Sequence, residues 1–165
     1  MRDGSRWHWR QLHWLWLTLL VVGFDQWTKA LIQAAFQFHE TRPVLPFFNL
    51  VLTYNEGAAF SFLAGAGGWQ RWFFAGIAAL ASVVILGWLL RGRETRITSC
   101  GLALILGGAL GNLWDRLVLG HVVDFLDFYW QARHFPAFNL ADAAITVGAA
   151  LLILDMLRGG RREHE

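Results

Sequence analysis

The sequence predicts an all-α integral membrane protein, in which four transmembrane helices form one domain over residues 1–165 and carry a small extracytoplasmic β-element. The chain is 56% hydrophobic and only 16% charged, whereas average soluble chains carry about 25% charged residues. It contains 10 Trp and 13 Phe, and aromatic side chains are enriched where a bilayer meets water. Its apolar residues are gathered into four runs, each close to the roughly 20 residues that a helix needs to cross the hydrocarbon.

The four runs are separated by segments that contain arginine, proline or glycine. We predict spans at about 12–36, 72–90, 98–119 and 138–157. The first run has no small-residue cleavage site, which favours a retained helix over a signal peptide. In the third run, Gly107 and Gly111 form a G-x-x-x-G pair, a pattern that fits packing within one molecule as well as a dimer.

Residues 38–69 form the predicted β-element. Arg42, Pro43 and Pro46 interrupt any helix here, and residues 47–54 are rich in strand formers. The apolar face of this segment suggests contact with lipid or with an apolar ligand. A structural cap over the helices explains the same pattern equally well.

The basic residues predict the orientation in the membrane. Nine of the 14 fall into three clusters that the four spans would place on one side: Arg2, Arg6 and Arg10; Arg91, Arg93 and Arg96; Arg158, Arg161 and Arg162. By the positive-inside rule, both termini are then cytoplasmic. No aromatic-studded basic groove accompanies these clusters, so no nucleic-acid partner is predicted.

Polar and charged side chains interrupt the first and third spans. Such groups are costly in lipid, and at membrane depth they indicate function. Asp25 and Lys29 are four residues apart, so they share a helix face and can pair, and a purely structural ion pair is the alternative interpretation. Asn112, Asp115 and Arg116 also lie on one face, where Asp115 and Arg116 could simply neutralise each other.

Two aspartates, Asp124 and Asp142, are predicted at the extracytoplasmic ends of spans three and four. The polar residues at the start of span four have structural explanations: Asn139 could cap the helix, and Asp142 in its first turn is favoured by the helix dipole. Two carboxylates close together in a poorly hydrated site share a proton. One can then deprotonate a water while the other polarises an amide carbonyl. A third aspartate, Asp127, is predicted to be solvated or interfacial.

Other kinds of chemistry find little support in the sequence. It contains no G-x-S-x-G, no plausible Cys–His pair and no H-E-x-x-H. His121, Asp124 and Asp142 lack ligand-type spacing, so no metal site is predicted. A small ion or proton transporter would need polar residues along the full bilayer depth, but spans two and four lack charges across their middles. A non-catalytic chaperone for signal helices would leave the two aspartates unexplained.

Five blocks of the sequence resemble, in order, the pattern of the bacterial lipoprotein signal peptidases (signal peptidase II). They are D-Q-W-T-K at residues 25–29, N-E-G-A-A-F-S at 55–61, G-N-L-W-D-R at 111–116, V-V-D-F at 122–125 and F-N-L-A-D at 138–142. Residues 1–11 and 158–165 match nothing in that pattern.

The resemblance implies a membrane aspartyl endopeptidase that removes the signal peptide from diacylglyceryl-modified prolipoproteins by cleaving N-terminal to the lipidated cysteine. It implies Asp124 and Asp142 as the catalytic pair, without metal or cofactor. The implied supporting residues are Asn112, Arg116, Asn139, Asn55, Asp25, Lys29, Asp115, Gly57 and Ala141. The expected partners are the prolipoprotein and membrane lipids. We expect a monomer in the bacterial cytoplasmic (inner) membrane, with its active site at the periplasmic face.

Overall fold

The computed structural model describes residues 12–57, 67–91 and 94–162, and most of them belong to four long helices. These are α1 (Trp14–Ala35), α2 (Trp69–Arg91), α3 (Arg96–Val118) and α4 (Leu140–Arg162). Each is long and apolar enough to cross a membrane. The prediction of four membrane-spanning helices is confirmed, and the chain is a multi-pass membrane protein.

Helix α3 lies at the centre of the bundle, because it is the most buried of the four and packs against α1, α2 and α4. Glycines allow the neighbouring helices to approach closely. A Cβ at Gly107 would lie 2.7 Å from Val21 Cβ on α1, and a Cβ at Gly101 would lie 2.8 Å from Gly148 O on α4. A Cβ at Gly111 would lie 2.7 Å from Asp25 Oδ2 on α1, so both glycines of the G-x-x-x-G pair pack inside the molecule.

A four-stranded antiparallel sheet lies at the end of the bundle where α1 and α3 end and α2 and α4 begin, which we call the sheet end. Its strands, in spatial order, are β1 (Thr41–Leu45), β2 (Phe48–Asn55), β3 (Val122–Trp130) and β4 (Arg133–His134). Leu52, Val123 and Phe125 are buried against Ile32 of α1. This small core fixes the sheet on the bundle.

The sheet is larger than the predicted β-element, which covered residues 38–69 alone. Strands β3 and β4 come from the connection between the third and fourth helices, for which no strand was predicted. The reason is that the β1–β2 hairpin leaves an unpaired strand edge, and β3 satisfies it by pairing from Phe48↔Phe128 to Asn55↔Val122. Helix α2 begins at Trp69, within the predicted element. Residues 58–66 of that element lie outside the described residues.

Candidate active site

The first turn of α4 carries Asp142 and is capped by Asn139. The Asn139 Oδ1 atom accepts a hydrogen bond from Asp142 N (2.9 Å), and Asp142 Oδ2 accepts one from Asn139 N (3.3 Å). This reciprocal capping fixes the carboxylate at the helix start, where the helix dipole favours a negative charge. The N-cap expected at Asn139 is therefore present.

Strand β3 brings Asp124 to the same place, with only 3% of the residue exposed. Its Oδ1 accepts a hydrogen bond from Asn139 Nδ2 (2.7 Å), and its Oδ2 accepts one from Asn55 Nδ2 (3.2 Å). Burial, together with the charge of Asp142, raises the pKa of Asp124 to about 7. The two amide donors oppose this rise, because they stabilise the ionised form, but desolvation is the larger effect.

Asn112 of α3 links the two aspartates. Its Nδ2 donates to Asp142 Oδ1 (2.7 Å), while its Oδ1 accepts from Asn139 Nδ2 (3.2 Å) and Lys29 Nζ (3.1 Å). An ammonium group can only donate, so Lys29 fixes the Asn112 amide with its nitrogen towards Asp142. Asn139 and Asn112 thus hold both carboxylates in one network.

A buried ion cluster formed by Lys29, Asp25 and Asp115 contacts this network through Lys29. Lys29 Nζ lies 2.7 Å from Asp25 Oδ2 and 2.8 Å from Asp115 Oδ2. Asp25 Oδ1 accepts a hydrogen bond from Ala141 N (3.0 Å), and Asp115 Oδ2 accepts one from Val123 N (3.2 Å). Each carboxylate therefore ties the lysine to an element that carries one of the two aspartates, α4 or β3. Removing one member of such a buried pair leaves an uncompensated charge, which costs about 3–5 kcal/mol.

The contacts of this ion cluster test two interpretations made from the sequence. The ion pair between Asp25 and Lys29 is present. The alternative in which Asp115 neutralises Arg116 is wrong, because Asp115 pairs with Lys29 and also accepts a hydrogen bond from Gln26 Nε2 (2.8 Å).

Arg116 instead holds the chain that follows β2. Its Nη2 donates to Gly57 O (3.0 Å), and its Nη1 donates to Asn112 O (3.2 Å). Gly57 N in turn donates to Asn55 Oδ1 (3.0 Å), which leaves Asn55 Nδ2 for Asp124. The buried Arg116 Nε atom has no hydrogen-bond partner among the described residues. Within the described part of the chain, this N–H is therefore an unused donor on a residue that lines the same cavity as Asp124 and Asp142.

The two carboxylates open into a cavity of about 570 Å³. The polar residues of its lining include Asn55, Asn112, Arg116, Asp124 and Asp142. The apolar residues of its lining, which we call the apolar wall, include Phe135, Pro136, Ala137, Phe138, Ile145 and Val147. This arrangement suits hydrolysis of a polar bond in a substrate whose remainder is apolar.

Metal chemistry has no geometric support in the part of the chain that the structure describes. No group of three or more His, Cys, Asp or Glu side chains there is placed to hold a metal ion. The His121 ring packs on Tyr54, with ring centroids 4.1 Å apart. Burial lowers the pKa of His121.

The sequence did not reveal two features of this region, the apolar cavity wall and the burial of Asp127. Of the two predicted settings for Asp127, solvated or interfacial, the solvated one is wrong, because the residue is only 7% exposed. Its Oδ2 accepts a hydrogen bond from Asn49 Nδ2 (2.9 Å), and His134 Nδ1 lies 2.9 Å from both of its oxygens. The strand formers of residues 122–130 were the available signal. They indicate a strand, but they do not show that Asn49 faces Asp127 across it.

Comparison with known proteins assigns the family. The model of the signal peptidase (SPase) II family matches residues 17–158. The chain belongs to this family. Signal peptidase II enzymes are proteases, so the resemblance seen in the five sequence blocks is confirmed at the level of family and enzyme class.

Individual relatives cover nearly the whole chain. The chain is 58% identical over 151 residues to the lipoprotein signal peptidase of Cupriavidus necator, and the alignment covers 92% of this chain and 86% of that protein. Identity to the lipoprotein signal peptidase of Pseudomonas putida is 54% over 156 residues, covering 93% and 91%. A bacterial membrane enzyme solved by the in meso method at 2.3 Å resolution has a similar fold, with a TM-score of 0.80, 31% identity and 88% of each chain covered.

Proposed function

We propose that this signal peptidase II is an aspartyl endopeptidase that removes the signal peptide from diacylglyceryl-modified prolipoproteins, cleaving N-terminal to the lipidated cysteine. One observation carries the proposal: Asp124 and Asp142 accept hydrogen bonds from the same asparagine, Asn139, and both line a cavity that is otherwise largely apolar. The relatives named lipoprotein signal peptidases support the substrate class.

The two aspartates take different roles in the proposed reaction. Asp124 is the acid, since its raised pKa, about 7, keeps it protonated below neutral pH. Asp142 is the base. Its carboxylate accepts from Asn112 Nδ2 (2.7 Å) and lies in the first turn of α4, where the helix dipole favours the ionised form.

The chemistry then follows the pattern of a carboxylate pair that shares one proton. Asp142 takes a proton from water while the water oxygen attacks the scissile carbonyl carbon, and Asp124 donates its proton to the carbonyl oxygen. In the second step the proton on Asp142 passes to the departing amide nitrogen as the C–N bond breaks. Asp124 recovers its proton from the intermediate, so the pair returns to its starting state.

The walls of the cavity match the two parts of such a substrate. Arg116 Nε is a buried donor without a partner among the described residues, and we propose that it binds a backbone carbonyl of the signal peptide. The apolar wall that includes Phe135, Phe138 and Ile145 receives the diacylglyceryl chains or the apolar signal helix. The lipid then stays in the bilayer while the scissile bond meets the aspartates at its edge.

We also propose the setting of the enzyme: a monomer in the bacterial cytoplasmic (inner) membrane with both termini in the cytoplasm. Arg91 and Arg96 lie at the end of the bundle opposite the sheet, at the end of α2 and the start of α3. The positive-inside rule places that end in the cytoplasm. The sheet and the active site then face the periplasm, and membrane lipids surround the exposed helix faces.

The test is a cleavage assay in detergent micelles with a diacylglyceryl-modified prolipoprotein. We expect Asp124→Asn and Asp142→Asn each to lower kcat by about 10³-fold or more while the protein stays folded in thermal unfolding. Asp155→Asn is the matched control, because Asp155 contacts Thr95 and Thr98 at the far end of the bundle. Activity like that of the wild type in either dyad variant would contradict the assignment, and equal cleavage of the unmodified prolipoprotein would contradict the lipid requirement.

A further inference from the structure

We propose that Asp127 and His134 are positioning residues that hold residues 135–138 of the apolar wall of the cavity and thereby set the affinity for substrate. Neither lines the cavity, and neither takes part in the proposed reaction. The inference rests on the proposed function, because it assigns the wall to the apolar part of the substrate.

Three side chains from three strands form what we call the clasp: Asn49 of β2, Asp127 of β3 and His134 of β4. Asn49 Nδ2 donates to Asp127 Oδ2 (2.9 Å), and His134 Nδ1 lies 2.9 Å from both carboxylate oxygens. A carboxylate accepts, so Nδ1 carries the hydrogen whether the imidazole is neutral or charged. The clasp therefore joins the short strand β4 to the rest of the sheet.

Strand β4 has two residues, and its ladder with β3 consists of Tyr129↔His134 and Trp130↔Arg133. Beyond it, backbone hydrogen bonds from Phe135 N to Phe128 O and between Phe138 and Leu126 continue the contact with β3. The His134 ring also stacks on Tyr129, with centroids 5.2 Å apart. The hydrogen bond to Asp127 adds a polar side-chain contact at the residue that ends β4 and directly precedes the cavity wall.

The wall starts directly after the clasp. Phe135 follows His134 in the chain, and Phe135 N donates to Phe128 O (2.7 Å). Its ring meets Phe138 edge-on at 5.9 Å. Phe135 lines the main cavity on one side and a shallower concavity, shared with Phe47 and Trp130, on the other. A displacement of β4 would therefore move the partition between the two cavities.

The burial of Asp127 favours this role over simple packing. A carboxylate that is 7% exposed loses much of its hydration, and a hydrophobic side chain of similar volume would fill the space without that cost. What a hydrophobic side chain could not do is bind Asn49 and His134 at once. We therefore attribute the buried carboxylate of Asp127 to its role in holding β4, and with it residues 135–138, in position.

Two substitutions at one position isolate the hydrogen bond. His134→Phe keeps a ring for Tyr129 but has no donor, whereas His134→Asn has no imidazole but keeps an amide N–H at the position of Nδ1. In the cleavage assay with the lipidated prolipoprotein, we expect His134→Phe to raise KM about tenfold, the fold-change of one hydrogen bond to a charged group, with kcat within about twofold. His134→Asn restores most of the affinity. An unchanged KM in His134→Phe, or a fall in kcat alone, would overturn the inference.

Hydrogen exchange measured by mass spectrometry reports on the wall without any cleavage. In His134→Phe we expect faster exchange of the amides of Phe135 and Phe138 than in the wild type, with exchange of α3 unchanged. Equal exchange in the two proteins would overturn the clasp even if the enzyme is active. If the wild type does not cleave the lipidated substrate, the proposed function fails, and the exchange rates alone decide whether the clasp holds the wall.

Discussion

Among single residues, Asp124 has the most direct consequence for activity. Its pKa is raised from the ordinary 3.8 to about 7, first by burial and then by the charge of Asp142. If Asp124 acts as the acid, kcat/KM should fall as pH rises through about 7, because the proton that the carbonyl oxygen needs is lost. A pH profile of kcat/KM between pH 5 and 9 measures this, and a flat profile above pH 7 would contradict the assignment.

The raised pKa of Asp124 also makes the free energy of unfolding depend on pH, and the direction of this dependence can be measured separately from activity. Protonated Asp124 favours the folded state, so its stabilising contribution is complete below about pH 4 and is lost as pH rises through about 7. Asp124→Asn has no charge to bury. Its Tm should therefore exceed that of the wild type by on the order of 5 °C at pH 8, and the difference should shrink towards pH 4. A constant difference across this range would contradict the shift.

How much the sequence reveals about single residues depends on the range of their contacts. The pair Asp25–Lys29 and the cap at Asn139 were predicted from spacing, because both partners lie within one helical turn. The clasp was not, because Asn49 and Asp127 meet only once β2 and β3 have paired in register. The pairing of Asp115 with Lys29 was missed for the same reason, since it joins α3 to α1.

At the scale of elements, the contact between α3 and α4 places the aspartate on α4. A Cβ at Gly108 would collide with Ala141 O and lie 2.7 Å from Ile145 Cγ1. Gly108→Ala should therefore push the start of α4 outward, costing about 1–3 kcal/mol of stability and lowering kcat by displacing Asp142. Thermal unfolding and the cleavage assay measure the two effects.

Gly87 of α2 provides the matched control for this prediction. A Cβ there meets nothing within 4 Å, and alanine favours a helix more than glycine does by about 1 kcal/mol. Gly87→Ala should leave kcat unchanged and stability equal or slightly higher. Similar losses in both variants would show that helix flexibility, rather than the close contact, matters.

The elements themselves were predicted unequally. Long apolar runs identify the helices, since a bilayer requires about 20 apolar residues in each. Strand β3 was missed because its nine residues, rich in strand formers but containing two aspartates, resemble any apolar connection until a partner strand is known. The full sheet could therefore not be predicted from local sequence, because its strands pair with segments that are distant in the chain.

For the whole molecule, the orientation in the membrane is the prediction that remains to be tested. In a Cys100→Ser background, Gln131→Cys places a thiol in the turn between β3 and β4, and Glu94→Cys places one between α2 and α3. A membrane-impermeant maleimide should label Gln131→Cys in intact spheroplasts and Glu94→Cys only after lysis. The reverse pattern would place the active site in the cytoplasm and refute the proposed topology.

Asn139 has one further consequence for the whole enzyme. Its amide oxygen caps α4 through Asp142 N, while its amide nitrogen donates to Asp124. Any molecule that draws this side chain away from Asp124, or locks it there, therefore also changes the order of the helix start. Binding of a ligand at the aspartates is therefore coupled to the ordering of the first turn of α4. The free energy by which ligand binding favours the ordered turn equals the free energy by which the ordered turn favours ligand binding.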